Sequence, residues 1–130
     1  MKNWMMIATA ALVITMSAHG QSAAAMEQTH ALAAKAKTVS NHAAVAKQYR
    51  LQAEAFSAKA AEHEQDVADF TRAAGASIHK WPGSASGLLQ KAKANAVDAR
   101  KAAREASALA NRHIRLAVEA QGNELVVAGD

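Results

Sequence analysis

A seven-residue recurrence of large side chains between residues 41 and 74 constrains the fold of this chain more than any other feature. The side chains that follow one another at intervals of seven are His42, Tyr49, Phe56, His63 and Phe70. Seven residues are close to two turns of an α-helix, so these side chains form a stripe along one face. Polar and charged residues fill most other positions. We therefore expect an amphipathic helix of about 33 residues, roughly 50 Å long, whose stripe packs against another helix.

A second, alanine-rich stripe follows a short connection. Residues 75–87 hold the only proline and three of the six glycines, which predicts a helix end at Gly75 and a loop after it. From about residue 87 to 121, small side chains recur at three- and four-residue intervals, and Gly122 is expected to end this helix. Its stripe consists of Leu89, Ala92, Ala96, Ala99, Ala103, Ala106, Ala110, His113, Ala117 and Ala120.

These two stripes predict an all-α fold, a long antiparallel αα-hairpin over residues 41–121. The large side chains of the first helix would face the alanine seam of the second. Hydrophobic residues are 51% of the chain, but alanine buries little area, so the core of a lone hairpin is thin. We therefore expect completion to a three- or four-helix bundle, either by the N-terminal segment 26–40 or by a second copy of the chain.

Segment 26–40 is expected to be helical, and its junction with the main helix has two interpretations. In the first, the chain breaks near residues 38–41 and Thr38 or Ser40 caps the next helix, because hydroxyl side chains accept hydrogen bonds from the first free N–H groups. In the second, one helix runs unbroken from Ala24 to Ala74. At the other end of the chain, residues 122–130 are expected to form a flexible tail.

The first 25 residues have the features of a secretory signal peptide. Lys2 is followed by a twelve-residue apolar run, Met5–Met16, and then by small and polar residues. Such a run is too short to span a bilayer stably. Cleavage after Gly20 or after Ala25 fits the small-residue rule, with Ala25 preferred, and the alternative is an uncleaved N-terminal anchor. The interpretation as a signal peptide predicts a periplasmic or secreted protein.

The charge distribution bears on the partners of the hairpin. Residues 72–115 carry nine bases and two acids, whereas residues 42–71 carry three bases and five acids. Opposite charge therefore favours pairing of the two helices, although each exposed ion pair contributes only about 0–1 kcal/mol. No Phe, Tyr or Trp lies among the bases of the second helix, which argues against nucleic acid as a partner. The expected partners are a second copy or another envelope protein, with weak electrostatic membrane contact as a further alternative.

Several short motifs resemble those of a known family. The motifs are His42-x-x-Val45-Ala46-x-x-Tyr49, Ala58-Lys59-Ala60-x-x-His63-Glu64 and Ala110-x-x-His113-x-x-Leu116-Ala117. Over about residues 38–120 the chain resembles small secreted bacterial alanine-rich α-helical proteins, to which no activity is assigned. Members of that family often have a further histidine or a cysteine near the start of the second helix, and this chain has neither. The resemblance implies an exported helical bundle and no catalytic residues.

The histidines are the main candidates for chemistry. In a hairpin centred near residue 80, His42 lies about one turn from His113, and imidazoles bind Zn²⁺ or Cu²⁺. One hypothesis is therefore a metal site of His42, His63 and His113. The alternative is that these histidines hydrogen-bond across the alanine seam without any cofactor. The pattern Glu27-x-x-His30 is half of a di-iron motif and lacks the second half that such a site requires.

The sequence favours a non-enzymatic interaction or structural protein of the cell envelope. It contains no pattern typical of a nucleophile triad, paired catalytic carboxylates or a phosphate-binding loop. The residues expected to mediate interaction are Tyr49, Phe56, Phe70 and Trp81. Two alternatives are a periplasmic protein that sequesters Cu or Zn through histidines, and an adaptor that binds the envelope surface through its basic helix.

Overall fold

Three α-helices form the structure, a computed structural model that describes residues 22–77 and 82–127. They are α1 (Ser22–Lys35), α2 (Val39–Ser77) and α3 (Pro82–Val127). His42 of α2 contacts His113 of α3, and Glu64 contacts Arg100, so residue numbers rise along α2 as they fall along α3. The expected all-α antiparallel hairpin is therefore confirmed. Within the described ranges, no helix has an apolar stretch long enough to cross a bilayer.

Small side chains line the interface between α2 and α3. The buried apolar residues are Val45, Ala46, Tyr49, Ala53 and Ala60 on α2, and Ala92, Ala96, Ala99, Ala103, Ala106 and Ala110 on α3. On both helices they recur at intervals of three and four residues, the repeat that keeps one stripe facing a partner helix. The predicted alanine seam is thus present on α3, and its small side chains allow the backbone of α3 to approach α2 closely.

The chain breaks between α1 and α2, as in the first of the two interpretations of this junction. Thr38 caps α2: its Oγ1 accepts a hydrogen bond from the backbone N–H of Asn41 at 3.2 Å, which satisfies one of the free donors at the helix start. The backbone N–H of His42 then donates to the carbonyl of Thr38 at 3.0 Å. The prediction that Thr38 serves as an N-cap is confirmed.

The short helix α1 folds back over one end of the hairpin. Met26, Ala33 and Ala36 pack against a buried cluster that includes Val45 and Tyr49. The N-terminal segment therefore supplies a third helix, but only to the part of α2 that ends at Gln52. We call this part, with its α3 partners, the cluster end, and the part from Ala53 onward the far end.

Both long helices extend beyond the bounds that the sequence predicts. α2 continues through Gly75 to Ser77, and α3 continues through Gly122 to Val127. A glycine ends a helix by adopting a left-handed conformation, and no glycine in the described ranges has a positive φ. Adding residues to an existing helix needs no new nucleus, so a single glycine does not suffice to stop it.

The start of α3 also lies earlier than predicted. This helix begins at Pro82, where proline is suited to the first helical position because its φ is already helical and its missing N–H would have no partner there. The predicted loop over residues 75–87 is therefore shorter. Trp81 lies outside the described residues, and so do residues 1–21, which contain most of the predicted signal peptide.

Candidate functional site

Four ring-bearing polar residues meet at the cluster end, where α1, α2 and α3 converge. His30 comes from α1, His42 and Tyr49 from α2, and His113 from α3. His42 and Tyr49 are seven residues apart on the α2 stripe, and His113 continues the alanine stripe of α3. We call these four residues the histidine cluster. The rest of the seam consists of methyl groups, so the cluster is the main concentration of polar groups buried between the described helices.

His42 and His113 form a direct contact between α2 and α3. Their Nδ1 atoms lie 3.0 Å apart, and their ring centroids are 5.2 Å apart with the planes tilted by 36°. Only 9% of His42 and 6% of His113 is exposed. In this contact one Nδ1 carries a proton and donates it, while the other accepts through its lone pair. The contact therefore requires that at least one of the two rings is neutral.

The surroundings of His113 favour its neutral form. Burial of the ring lowers the pKa of His113 below its ordinary value, because the charged form loses its hydration. The positive charges of His42 and Arg112 lower this pKa further. Neutral imidazole is the form that accepts a hydrogen bond or binds a metal ion through a ring lone pair. His113 thus favours the form of a buried nitrogen base over that of a buried cation.

Tyr49 connects this pair to α1. Its hydroxyl lies 2.7 Å from the Nδ1 of His30, and its ring centroid is 5.6 Å from that of His30 and 5.8 Å from that of His113. Tyr49 is fully buried, and burial raises the pKa of its phenol. Because burial favours the neutral phenol, Tyr49 keeps its proton, and the tautomer of the His30 ring decides whether the hydroxyl donates to Nδ1 or accepts from it.

A second polar group fastens α1 to α2 beside the cluster. The Nε2 of Gln52 donates to the carbonyl of Ala25 at 3.0 Å and to the Oγ1 of Thr29 at 2.7 Å. Thr29, which is buried, in turn donates to the carbonyl of Ala25 at 2.8 Å. The Oε1 of Gln52 is buried without a hydrogen-bond partner. These contacts attach α1 to α2 in addition to the apolar packing of Met26 and Ala33.

A cavity of about 340 Å³ lies between the three helices at this position. All four members of the histidine cluster line it, together with Arg112 and the apolar side chains of Ala33, Ala36, Leu109 and Leu116. A volume of this size holds several water molecules or a small ligand. Three imidazoles and one phenol therefore face a common space that the apolar residues only partly enclose.

The structure brings together two of the three residues of the predicted metal site. His42 and His113 are in contact, whereas His63 lies 21 residues further along α2, which is about 31 Å at the rise of an α-helix. His63 instead faces Asp66, with Nδ1 and a carboxylate oxygen 3.5 Å apart. Among residues 22–77 and 82–127, no three His, Asp or Glu side chains already converge with the spacing of a metal site.

The residues predicted to mediate interaction differ in exposure. Tyr49 has no exposed surface, so its contacts lie within the chain. Phe56 and Phe70 are half-buried on the α2 stripe at the far end. Trp81 lies outside the described residues. At the far end the interface with α3 therefore leaves part of each aromatic ring in contact with solvent.

Sequence reasoning missed the contribution of α1 to the site. His30, Thr29 and Gln52 were not among the predicted site residues. A signal for the packing of α1 is present, because Met26, Thr29, Ala33 and Ala36 recur at intervals of three and four and all are buried or half-buried. No sequence pattern marks His30 itself, since its position depends on the direction in which α1 folds back after residue 35.

Comparison with known proteins gives no match. No family model matches the chain, and no curated protein and no solved structure matches it. The resemblance to small secreted alanine-rich proteins stays a prediction, and the function is inferred from the geometry of the chain.

Proposed function

We propose that this protein is an exported, non-enzymatic α-helical protein of the bacterial cell envelope that acts through helix–helix contact, first of all with a second copy of itself. The apolar run Met5–Met16 after Lys2 supports export to the periplasm or beyond. The hairpin supports the interaction role, because long α-helices with heptad stripes are the usual elements of helical assemblies.

The observation that carries this proposal is the partial burial of Phe56 and Phe70 at the far end. At the cluster end α1 covers the α2 stripe, and Tyr49 of that stripe is fully buried. At the far end only α3 packs against the stripe. Complete burial of a large apolar side chain contributes about 1.5–3 kcal/mol, so a further helix laid along the far end gains stability from both phenylalanines.

The occupant we propose for this position is the far end of a second copy. Residues 42–71, all in α2, carry three bases and five acids, whereas residues 72–115, mostly in α3, carry nine bases and two acids. In an antiparallel pair of hairpins, α2 of each copy lies beside α3 of the other, so unlike charges adjoin. Two copies then form a four-helix layer in which each buries the phenylalanines of its partner.

Sedimentation velocity of the purified protein tests the association. We expect a dimer at about 10 µM, which corresponds to a micromolar dissociation constant. The double variant Phe56→Gln, Phe70→Gln should sediment as a monomer and keep its helical circular dichroism. The matched control is Val97→Gln, since Val97 is exposed on α3 and does not belong to the seam. A wild-type protein that remains monomeric at about 200 µM would remove the self-association proposal.

The structure also supports a choice between the two cleavage sites. α1 begins at Ser22, and the carbonyl of Ala25 accepts hydrogen bonds from Thr29 and Gln52. Cleavage after Ala25 removes this acceptor, whereas cleavage after Gly20 retains it. We therefore infer that the mature chain begins at Gln21, in contrast to the preference from sequence.

The intact mass of the exported protein tests both export and the cleavage site. A mass that corresponds to a start at Gln21 is the expected result. A start at Met26 would contradict the inference about cleavage but not export. Recovery of uncleaved protein in the cytoplasmic fraction alone would contradict export.

A further inference from the structure

The cavity of the histidine cluster has features that helix–helix contact does not require. Three imidazoles from three different helices face one space of about 340 Å³. An alanine seam needs no such polar group, and burial of polar side chains costs free energy unless they find partners. The cluster therefore calls for a role of its own, independent of the association proposed above.

The spacing of His42 and His113 is close to that of two ligands on one metal ion. Zinc binds imidazole nitrogen at about 2.0–2.1 Å with tetrahedral angles, which places two such nitrogens about 3.3 Å apart. The two Nδ1 atoms lie 3.0 Å apart in hydrogen-bond contact. A separation of the rings by a few tenths of an ångström, with both protons on Nε2 and both rings turned so that their lone pairs converge on one point, would admit an ion beside the pair.

The environment of the pair keeps its nitrogens available. A metal ion binds neutral imidazole, so each proton on a ligand nitrogen competes with the metal. His42 and His113 are both buried, and the hydrogen bond between their Nδ1 atoms leaves a lone pair on at least one of the two rings. The contact thus holds at least one unprotonated nitrogen inside the fold, which is the form that binds a metal ion.

His30 supplies a third nitrogen only after its side chain turns further into the cavity, since no three His, Asp or Glu side chains of the described residues are already grouped as metal ligands. The ring of His30 lines the same cavity, and its Nδ1 is held by the hydroxyl of Tyr49 at 2.7 Å. Unlike the other two histidines, His30 is exposed, so rotation of its ring can exchange the hydrogen bond to Tyr49 for a bond to a metal. The phenol of Tyr49, whose pKa burial raises, acts as a positioning group for His30 rather than as an anionic ligand.

We propose that His30, His42 and His113 together bind one Zn²⁺ or Cu²⁺ ion in the cavity at the cluster end. Both ions favour imidazole nitrogen, and the open space beside the rings leaves a position for water as a further ligand. Because the three ligands belong to α1, α2 and α3, the ion cross-links the three helices. His63 takes no part, since it lies about 31 Å from His42 along α2.

Isothermal titration of the purified protein with ZnCl₂ and, separately, with CuSO₄ tests the site after removal of metals by a chelator. We expect one ion per chain with a dissociation constant of about 1 µM or lower for at least one of the two metals. His42→Ala and His113→Ala should each weaken binding by at least about 100-fold, and His30→Ala by roughly tenfold, in line with losses known for metal-site residues. His63→Ala is the matched control and should bind like wild type.

A structural readout separates this site from ions held at the surface. Hydrogen exchange of the amides of α1 should slow when the metal is added to wild type, because the ion fastens this helix to the hairpin. Hydrogen exchange should not slow in His30→Ala, a variant expected to keep the fold because the altered side chain is exposed.

Several results would overturn the proposal. The proposal fails if the wild-type protein binds neither metal. It also fails if His63→Ala weakens metal binding as much as His42→Ala does. Wild-type binding by His30→Ala would remove the third ligand and with it the three-histidine site. If His42→Ala or His113→Ala fails to give a helical circular dichroism spectrum, the comparison of His30→Ala with His63→Ala decides the question.

Discussion

The cluster end and the far end of the hairpin share one heptad pattern but are enclosed differently. At the cluster end α1 adds a third helix, Tyr49 is fully buried, and polar groups connect all three helices. At the far end two helices meet through methyl groups, and Phe56 and Phe70 stay half-buried. The repeat of small and large residues therefore sets which faces of α2 and α3 meet, whereas the third helix decides how far the side chains are removed from water.

Replacement of an aromatic residue by alanine at each end should give the largest difference in stability between the two ends. Tyr49→Ala should lower the free energy of unfolding by about 3–5 kcal/mol, because it leaves a cavity under α1. Phe56→Ala should cost about half as much, since that ring is only half-buried. Urea denaturation followed by circular dichroism measures both values. If both variants lost the same free energy of unfolding, the far end would be enclosed to the same degree as the cluster end, which is the result expected for a dimer.

Enlargement of a seam alanine tests how closely the helices are held at each end. Ala110 packs against Val45 and Tyr49, so Ala110→Leu should cost about 2–3 kcal/mol through overpacking. Ala92 is buried at the far end, where two helices can move apart, and Ala92→Leu should cost about 1 kcal/mol. Ala108→Leu, on the exposed face of α3, is the control that should change little. A larger loss at Ala92 than at Ala110 would contradict the difference between the ends.

The pairing of α2 with α3 was predictable from sequence because it rests on periodicity. His42, Tyr49 and the alanines of α3 lie on stripes with a repeat of seven, and a stripe must face a partner helix. The contact of His42 with His113 follows once a short connection fixes the register of the hairpin. The cap at Thr38 was also predictable, because capping depends on residues three positions apart.

The contribution of α1 was not predictable to the same degree. His30 reaches Tyr49 only because three non-helical residues after Lys35 return α1 along α2, and no local pattern sets that direction. The prediction of His63 as a metal ligand rests on residue type alone, and its position 21 residues beyond His42 on the same helix separates it from the pair of His42 and His113. The predicted helix ends at Gly75 and Gly122 rest on the frequency of glycine at helix ends, yet both glycines lie inside longer helices.

Removal of a single hydroxyl measures the polar contact between α1 and α2. Tyr49→Phe keeps the ring but loses the hydrogen bond to His30, and it should cost about 0.5–1.5 kcal/mol. The far-end control is Thr71→Val, since the Oγ1 of Thr71 bonds to the carbonyl of Val67 on an exposed surface. Thermal unfolding of the two variants gives the comparison. A Tyr49→Phe variant as stable as wild type would show that packing alone holds α1.

The pH dependence of stability should also belong to the cluster end. Burial and the charges of His42 and Arg112 lower the pKa of His113 in the folded protein. The unfolded chain then binds more protons at mildly acidic pH, so stability is complete above about pH 6.5 and declines as the pH falls from there toward the lowered pKa. His30 and Tyr49 are the other titratable groups that face the cavity, from α1 and α2.

Urea denaturation at about pH 7.5 and about pH 5 measures this dependence. The urea concentration at the midpoint of unfolding should be lower at the acidic pH for the wild-type protein. The difference between the two midpoints should be smaller for His113→Leu, which has no titrating ring at this position. Hydrogen exchange, corrected for the pH dependence of intrinsic exchange rates, should show that the amides of α1 and the adjoining part of α2 lose protection at the acidic pH. Equal loss of protection at the far end would contradict a local cause.

The smallest effect should come from the ion pair between the helices at the far end. Arg100 donates a hydrogen bond to Glu64, and this contact lowers the pKa of the Glu64 carboxyl. Both side chains are exposed, so water and salt screen the pair, and Glu64→Gln should lower the melting temperature only slightly. That loss should vanish at about 0.5 M NaCl, where exposed charges are screened over a few ångströms. Glu62→Gln is the control, because Glu62 takes part in none of the ion pairs found in the described residues. If Glu64→Gln lowered the melting temperature as much as Tyr49→Phe does, and if salt did not change that loss, charge would hold the far end together rather than the packing of small side chains.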